Sequence, residues 1–304
     1  MTSILEAKSE SINTAVEGEK TECFMDAFCP MAIELKRART DRLRSFFTIE
    51  PKIRACYLCA IVMDIDLTWL ERTELLIGQE QLLRLNQSHV LIVGLGGVGS
   101  FAAEFIARAG IGRMTIVDGD TVDVSNKNRQ LPALNSTVGK KKAQVMAERI
   151  RDINPQVELT VIDHFQRPDD TIELVKQQKF DYVMDCIDSI SPKIYLIKSC
   201  VEEKQRIISS MGAGGKTDAS KVEVADLSKS HHCPFARTLR KRLNKHRIRK
   251  GFKVVFNGAE INKDSVQLTD GSNFKKSFYG TISFMPALFG LRMAAEVIND
   301  LRKA

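Results

Sequence analysis

The apolar positions of this chain change period several times, and each change marks an element. Val90, Leu91, Ile92 and Val93 form a run too short for a helix and suited to a buried strand. Past a glycine-rich turn, Val98, Phe101, Ala102, Phe105, Ile106 and Ala109 recur at i, i+3, i+4, i+7, i+8 and i+11, one apolar helix face. Gly110 and Gly112 end that helix, and Met114, Thr115, Ile116 and Val117 give a second strand. Residues 69–85 read as a helix with apolar Leu70, Leu75, Leu76, Leu82, Leu83 and Leu85. Further helices are predicted over 139–150, 169–178, 235–246 and 285–301, and strands over 158–162, 182–184, 206–210 and 222–227. Such alternation implies an α/β fold, a Rossmann-like and mainly parallel sheet with helices on both faces. A basic helical insertion and a C-terminal helix complete it. The latter, with Leu288, Leu291, Ala295 and Ile298 at helical spacing, closes the core or a dimer interface.

Residues 1–62 stand apart from this order. They are rich in Ser, Thr, Glu and Lys and then in Arg, without sustained periodicity, so disorder is expected there. The folded unit is expected over residues 63–304.

The turn Gly94-Leu95-Gly96-Gly97-Val98-Gly99-Ser100 joins the first strand to its helix. Backbone N–H groups at such a helix N-terminus meet phosphate oxygens. Asp118, at the tip of the second strand, sits where a ribose hydroxyl would lie. Any dinucleotide-binding fold shares these features. The residues that follow narrow the choice: Asp120, then Ser125-Asn126-Lys127-Asn128-Arg129-Gln130. A planar guanidinium grips phosphate oxygens in pairs, which serves an enzyme of ATP chemistry and not a nicotinamide enzyme.

A length of 304 residues gives ample core for one large domain or two small ones. Hydrophobic and charged contents of 43% and 27% are those of an ordinary soluble chain. No apolar run reaches the ~18 residues of a membrane helix, so a cytoplasmic protein without membrane contact is expected. Seven cysteines lack a repeating spacing, and the CxxC of Cys56 and Cys59 has no second pair to complete a zinc site. The net charge of +7 is unevenly placed: Lys229 to Lys253 holds ten Lys and Arg and no acid. With Phe235 and Phe252 nearby, this segment points to an RNA backbone, met by Arg237, Arg240, Lys241, Arg242 and Lys245.

Five motifs in order carry a resemblance. Residues 94–100, the Asp118/Asp120 pair, residues 125–130, Gly139-Lys140-Lys141-Lys142-Ala143 and Asp185-Cys186-Ile187-Asp188 together resemble the ThiF/MoeB/HesA adenylating enzymes, relatives of the ubiquitin-activating enzymes. The likeness runs from about residue 67 to the C-terminus. Residues 69–78, 209–218 and 280–286 are most similar to the branch that dehydrates threonylcarbamoyladenosine beside the tRNA anticodon. The resemblance implies an ATP-dependent enzyme of ligase type that forms AMP and pyrophosphate through an acyl-adenylate. It implies ATP on Gly94, Gly96, Gly97, Gly99, Ser100, Asp118, Asp120, Asn126, Asn128, Arg129 and Lys142, with Mg²⁺ on Asp188. Asp188 as a cap of the helix beginning near Pro192 is the alternative. Catalysis would rest on Arg129, Lys142 and Arg72, the last reaching the phosphates across a homodimer. Relatives often carry a second Arg where this chain has Glu74, Leu75 or Leu76. tRNA and a sulfur-relay protein are the implied partners.

Other functions stay open at this point. An activating enzyme for a ubiquitin-like sulfur carrier would share the adenylation site, but would often carry a paired-CxxC zinc site. A nicotinamide oxidoreductase and an RNA-binding protein with a relic nucleotide site fit the motifs less well. Cys233, between His232 and Pro234, has no convincing nucleophile context.

Overall fold

The computed structural model describes residues 66–268 and 277–304. The expected disorder over 1–62 and the Cys56/Cys59 pair lie outside the described residues. A 3₁₀ turn, Thr68–Leu70, leads into α1 (Glu71–Ile77), α2 (Gln79–Gln87), β1 (His89–Val93), α3 (Gly99–Arg108) and β2 (Arg113–Val117). Then come α4 (Lys142–Ile153), β3 (Glu158–Ile162), α5 (Pro168–Gln177), β4 (Tyr182–Asp185), α6 (Ile190–Glu202), β5 (Ile207–Ser210) and β6 (Val222–Asp226). The chain closes with α7 (Pro234–Asn244), β7 (Lys253–Asn257), a hairpin of β8 (Val266–Leu268) and β9 (Ser277–Tyr279), and α8 (Phe284–Leu301).

Seven strands form one sheet in the order β3-β2-β1-β4-β5-β7-β6. All neighbours are parallel except β6 and β7. The central strands β1, β4 and β5 are buried on both faces, as a parallel sheet requires, while the edge strands β3 and β6 are partly exposed. Val90 and Ile92 of β1 point into a core shared with α2, α3, α4 and α8, whereas Leu91 and Val93 meet α5, α6 and α7 on the other face. The chain winds outward from β1 to β3, then restarts at β4 on the other side of β1. This reversal opens a crevice beyond the carboxyl ends of β1 and β4, where ligands of such sheets gather.

Three expectations change. The helix over 69–85 is two helices, because Gly78 adopts φ 80° and its N–H turns back to Glu74 O; only glycine takes that backbone without cost. The helix expected from Gly139 begins at Lys142. Gly139 (φ 84°) and Lys140 first pair with Val122, and Lys141 bridges to Thr121. β7 has no counterpart among the expected strands, yet it inserts between β5 and β6 and is buried from Val254 to Asn257.

Candidate functional site

The glycine turn fills the crevice, and its glycines answer to different demands. Gly94 has φ 90°, and a Cβ there would lie 2.9 Å from Cys186 O on the restart strand's exit. A Cβ on Gly99 would fall 1.7 Å from Gly94 O, so the turn closes on itself only with hydrogen at that point. Gly97 packs against Pro286 of α8, 2.9 Å from a built Cβ, and against Arg129 O. Gly96 alone of the four has open space, its nearest neighbour being the Gln130 side chain at 3.7 Å. A phosphate can therefore approach the backbone at Gly96. Ser100 differs from expectation. It is fully buried, donates to Gly96 O at 2.6 Å and accepts from Leu131 N, so it braces the turn from within.

Asp118 does reach the crevice, but its carboxylate takes two backbone amides, Leu95 N at 2.6 Å and Asp120 N at 2.8 Å. Burial pushes its carboxyl up, against the pull of those amides and of nearby Lys142. Lys142, buried at the start of α4, places Nζ 3.0 Å from Asp120. The two carboxylates and the lysine thus form one cluster beside the glycine turn. Arg129 is half-buried and donates from Nη1 to Ser125 O and to Asn128 Oδ1. Asn128 in turn donates to Thr281 O at 3.0 Å. Asn126 does not face a ligand with its carbonyl: buried, it accepts from Asp123 N, while Asp123 caps Ser125 N, a reciprocal box that shapes the loop. Gln130, a motif residue with no expected role, holds a buried Oε1 with no partner among the described residues. Such an orphan acceptor beside a glycine turn suits a ligand N–H.

Asp188 lies exposed just past β4. The helix behind it starts at Ile190, with Ser189 in the N-cap position next to Asp188. Its loop is fixed from below. Asp185 is fully buried and accepts from Lys193 Nζ at 2.7 Å, from Ser209 Oγ at 2.6 Å and from Ile187 N at 3.2 Å. No sequence spacing singled out Lys193 or Ser209. Ser209 is paired with Asp185 only by the β4–β5 register.

On the basic helix α7, Arg237, Lys241, Arg242 and Lys245 line an open groove with Pro234 and Thr238. Arg242 reaches Ser191 Oγ in the first turn of α6, which puts this groove next to the Asp188 loop. Arg240 does not belong to it. Its guanidinium turns inward to Leu227 O, Ser230 O and Ser230 Oγ, satisfying carbonyls and not a phosphate. Cys233 is buried, and its Sγ accepts from Ala236 N at the start of α7. Arg72 is not brought to the crevice. It follows Leu70, which packs on Gly110 beyond the C-terminal end of α3, a helix about 15 Å long. Exposed Trp69, Leu75 and Leu76 surround it.

Among the described residues no group of three or more His, Cys, Asp or Glu could hold a metal ion by itself. A single exposed carboxylate fits Mg²⁺, which binds through one or two carboxylates plus substrate phosphates. No helix among the described residues is long and apolar enough to cross a membrane.

Residues 70–303 match the model of the ThiF family. The tRNA threonylcarbamoyladenosine dehydratase of Bacillus subtilis is 42% identical over 239 residues, which cover 76% of this chain and 94% of that one. The Escherichia coli protein of the same name is 41% identical over 223 residues, 72% of this chain and 81% of its own. The crystal structure of the E. coli dehydratase in complex with ATP aligns with a TM-score of 0.70 at 36% identity, covering 79% of this chain and 97% of that chain. The molybdopterin-synthase adenylyltransferase of E. coli, 35% identical, matches only 43% of this chain and 51% of its own.

Proposed function

This chain belongs to the ThiF family, and from that premise we propose that it is an ATP-dependent tRNA threonylcarbamoyladenosine dehydratase of the cytoplasm. The observation that carries the reading is the 42% identity extending over 94% of a dehydratase. Sulfur-carrier activation is the weaker reading, since the adenylyltransferase matches less than half of this chain.

The reaction is a dehydration driven by ATP. An oxygen of the substrate's threonyl carboxylate attacks the α-phosphorus, the bond to the β-phosphate breaks, and pyrophosphate leaves. The carbamoyl group then attacks the acyl carbon of the adenylate and closes a ring. AMP departs with the former carboxylate oxygen, so the nucleoside loses the elements of water. Ring closure is intramolecular and asks for no protein nucleophile.

The chain's task is to neutralise charge and hold groups in line. The amides at Gly96 and the N-terminus of α3 receive phosphate, and Asp118 holds the nucleoside end with its free lone pairs. Arg129 and Lys142 exchange their present partners, Asn128 and Asp120, for phosphate oxygens. Asp188 holds Mg²⁺, which when bound screens phosphate charge. The exposed face of α7 carries the tRNA backbone on Arg237, Lys241, Arg242 and Lys245. A homodimer supplies Arg72 from the second copy; the exposed Trp69, Leu75 and Leu76 beside it support an apolar contact between copies.

The test is direct. Purified protein is incubated with ATP and tRNA bearing open threonylcarbamoyladenosine, and the nucleosides are read by mass spectrometry. Loss of the mass of one water, matched by one AMP per nucleoside, is the expected result. An unchanged nucleoside with no AMP release would remove the proposal.

A further inference from the structure

Two stretches that carry the likeness to the dehydratase branch, residues 209–218 and 280–286, lie far apart in sequence and meet in the fold. Gly215 N donates to Gly280 O at 2.8 Å. A Cβ on Gly214 would lie 2.8 Å from the Tyr279 Cβ and 3.2 Å from Thr281 Oγ1, so glycine there lets the two stretches close on each other. Together with residues 259–265 they line an open hollow of about 480 Å³, bordered among others by Thr217, Asp218, Glu260, Ser265, Thr281 and Ile282. That volume lies within the range of small-molecule sites, about 300–1,000 Å³.

The cavity adjoins the phosphate machinery. Thr281 O, on its wall, accepts from Asn128, and Asn128 accepts from Arg129 at 2.8 Å. Five residues on, Pro286 presses against Gly97 of the glycine turn.

The charge of the lining decides what can enter. Its one cation, Lys216, is turned away. The buried Nζ donates to His232 O at 2.9 Å, Ala259 O at 2.7 Å and Asn257 O. The rest of the lining is Glu260 and Thr217, then Asp218, whose Oδ1 accepts from Ser220, and the hydroxyls of Ser265 and Thr281, which donate to Asn262 O and Tyr279 O and keep lone pairs to accept with. Glu260 forms no ion pair with another described residue. An anion is repelled by this lining, and a neutral group rich in N–H and O–H donors is held.

We propose that this cavity receives the ureido and hydroxyl portion of the modified adenosine, leaving its carboxylate outside, on the Arg129 side. The inference rests on the proposed function and assigns the substrate's orientation within it. Glu260 accepts from the ureido N–H groups and Thr217 bonds the hydroxyl, so the enzyme tells a threonylcarbamoylated tRNA from a bare one before ATP is spent.

The test compares one tRNA sequence with and without the threonylcarbamoyl group, binding to the full chain, for the wild type, Glu260→Gln and Thr217→Val. Both positions are exposed, and retained affinity for ATP and for the bare tRNA reports that each variant is folded. The wild type is expected to prefer the modified tRNA by about tenfold or more, and Glu260→Gln to lose most of that preference. Thr217→Val is expected to lose a smaller part. A preference unchanged in both variants, in a wild type that dehydrates the tRNA, overturns the cavity assignment and leaves the proposed function standing. A wild type that neither dehydrates the modified tRNA nor distinguishes the two removes both.

Discussion

Lys193→Met is the substitution whose cost follows most directly from the structure. Lys193 and Asp185 are each 0% exposed, and among the described residues each has the other as its one ion-pair partner. Methionine fills much of the same volume, so packing changes little. What changes is that the Asp185 carboxylate stays buried with two neutral donors, Ser209 Oγ and Ile187 N. Removing one partner of a buried pair costs about 3–5 kcal/mol. Set against a total of about 5–15 kcal/mol for a domain, that loss is large.

The companion variant separates this cause from a packing fault. Asp185→Asn combined with Lys193→Met removes both charges and keeps an acceptor for the Ile187 amide. It should recover at least half of the lost stability, since replacing both partners of a buried pair is often close to neutral. Urea denaturation followed by far-ultraviolet circular dichroism gives both numbers, with the slope checking that the transition stays two-state. A single variant that loses under about 1 kcal/mol, or a double variant less stable than the single, would refute the charge argument.

Arg129→Ala and Asp188→Ala should each abolish ATP–pyrophosphate exchange while the unfolding midpoint holds; exchange retained in both would exclude them from the chemistry. Neutralising Lys241 and Lys245 together should weaken tRNA binding and lower the slope of log affinity against log salt by about 1.5 to 2. Arg240→Ala should leave that slope alone and lower stability, because its guanidinium serves the carbonyls of Leu227 and Ser230. His89, buried beside Phe180 and Thr115, is held down to about 4 from its ordinary 6.5, first by burial and then by Arg113. The unfolded chain binds the proton more readily, so this contribution is complete above pH 6.5 and is lost as the pH falls through about 4. The loss amounts to about 3 kcal/mol, and His89→Gln should flatten the stability profile between those limits if the reasoning holds.

The strands of the central sheet and the glycine turn were legible because their signals are local. An apolar run of four or five residues, a glycine cluster and a 3.6-residue period are each contained in one window. Gly78 escaped because the Leu82–Leu85 face continues the earlier pattern, and a lone glycine in such a run is weak evidence of a break. β7 escaped because its place in the sheet is set by pairings with β5 and β6 that no window contains. Asp185, Lys193 and Ser209 share that reason, as does Lys216, whose three carbonyl partners lie 16 to 43 residues away.

The motif residues pose a different difficulty, because a motif records that residue types are needed and not which of them touch a ligand. Ser100 and Asn126 spend their hydrogen bonds inside the loop, whereas Gly96 and Arg129 stand at its open side. Arg240 and Lys241 are neighbours in one basic run, yet they differ by about 100° around α7, and that rotation sends one guanidinium to buried carbonyls and leaves the other side chain to solvent. The division of labour follows from helix phase and from which backbone groups happen to be left unpaired nearby. Both become available only when the fold is known, which is why the glycine turn could be marked from the sequence while its brace and its open rim could not be told apart.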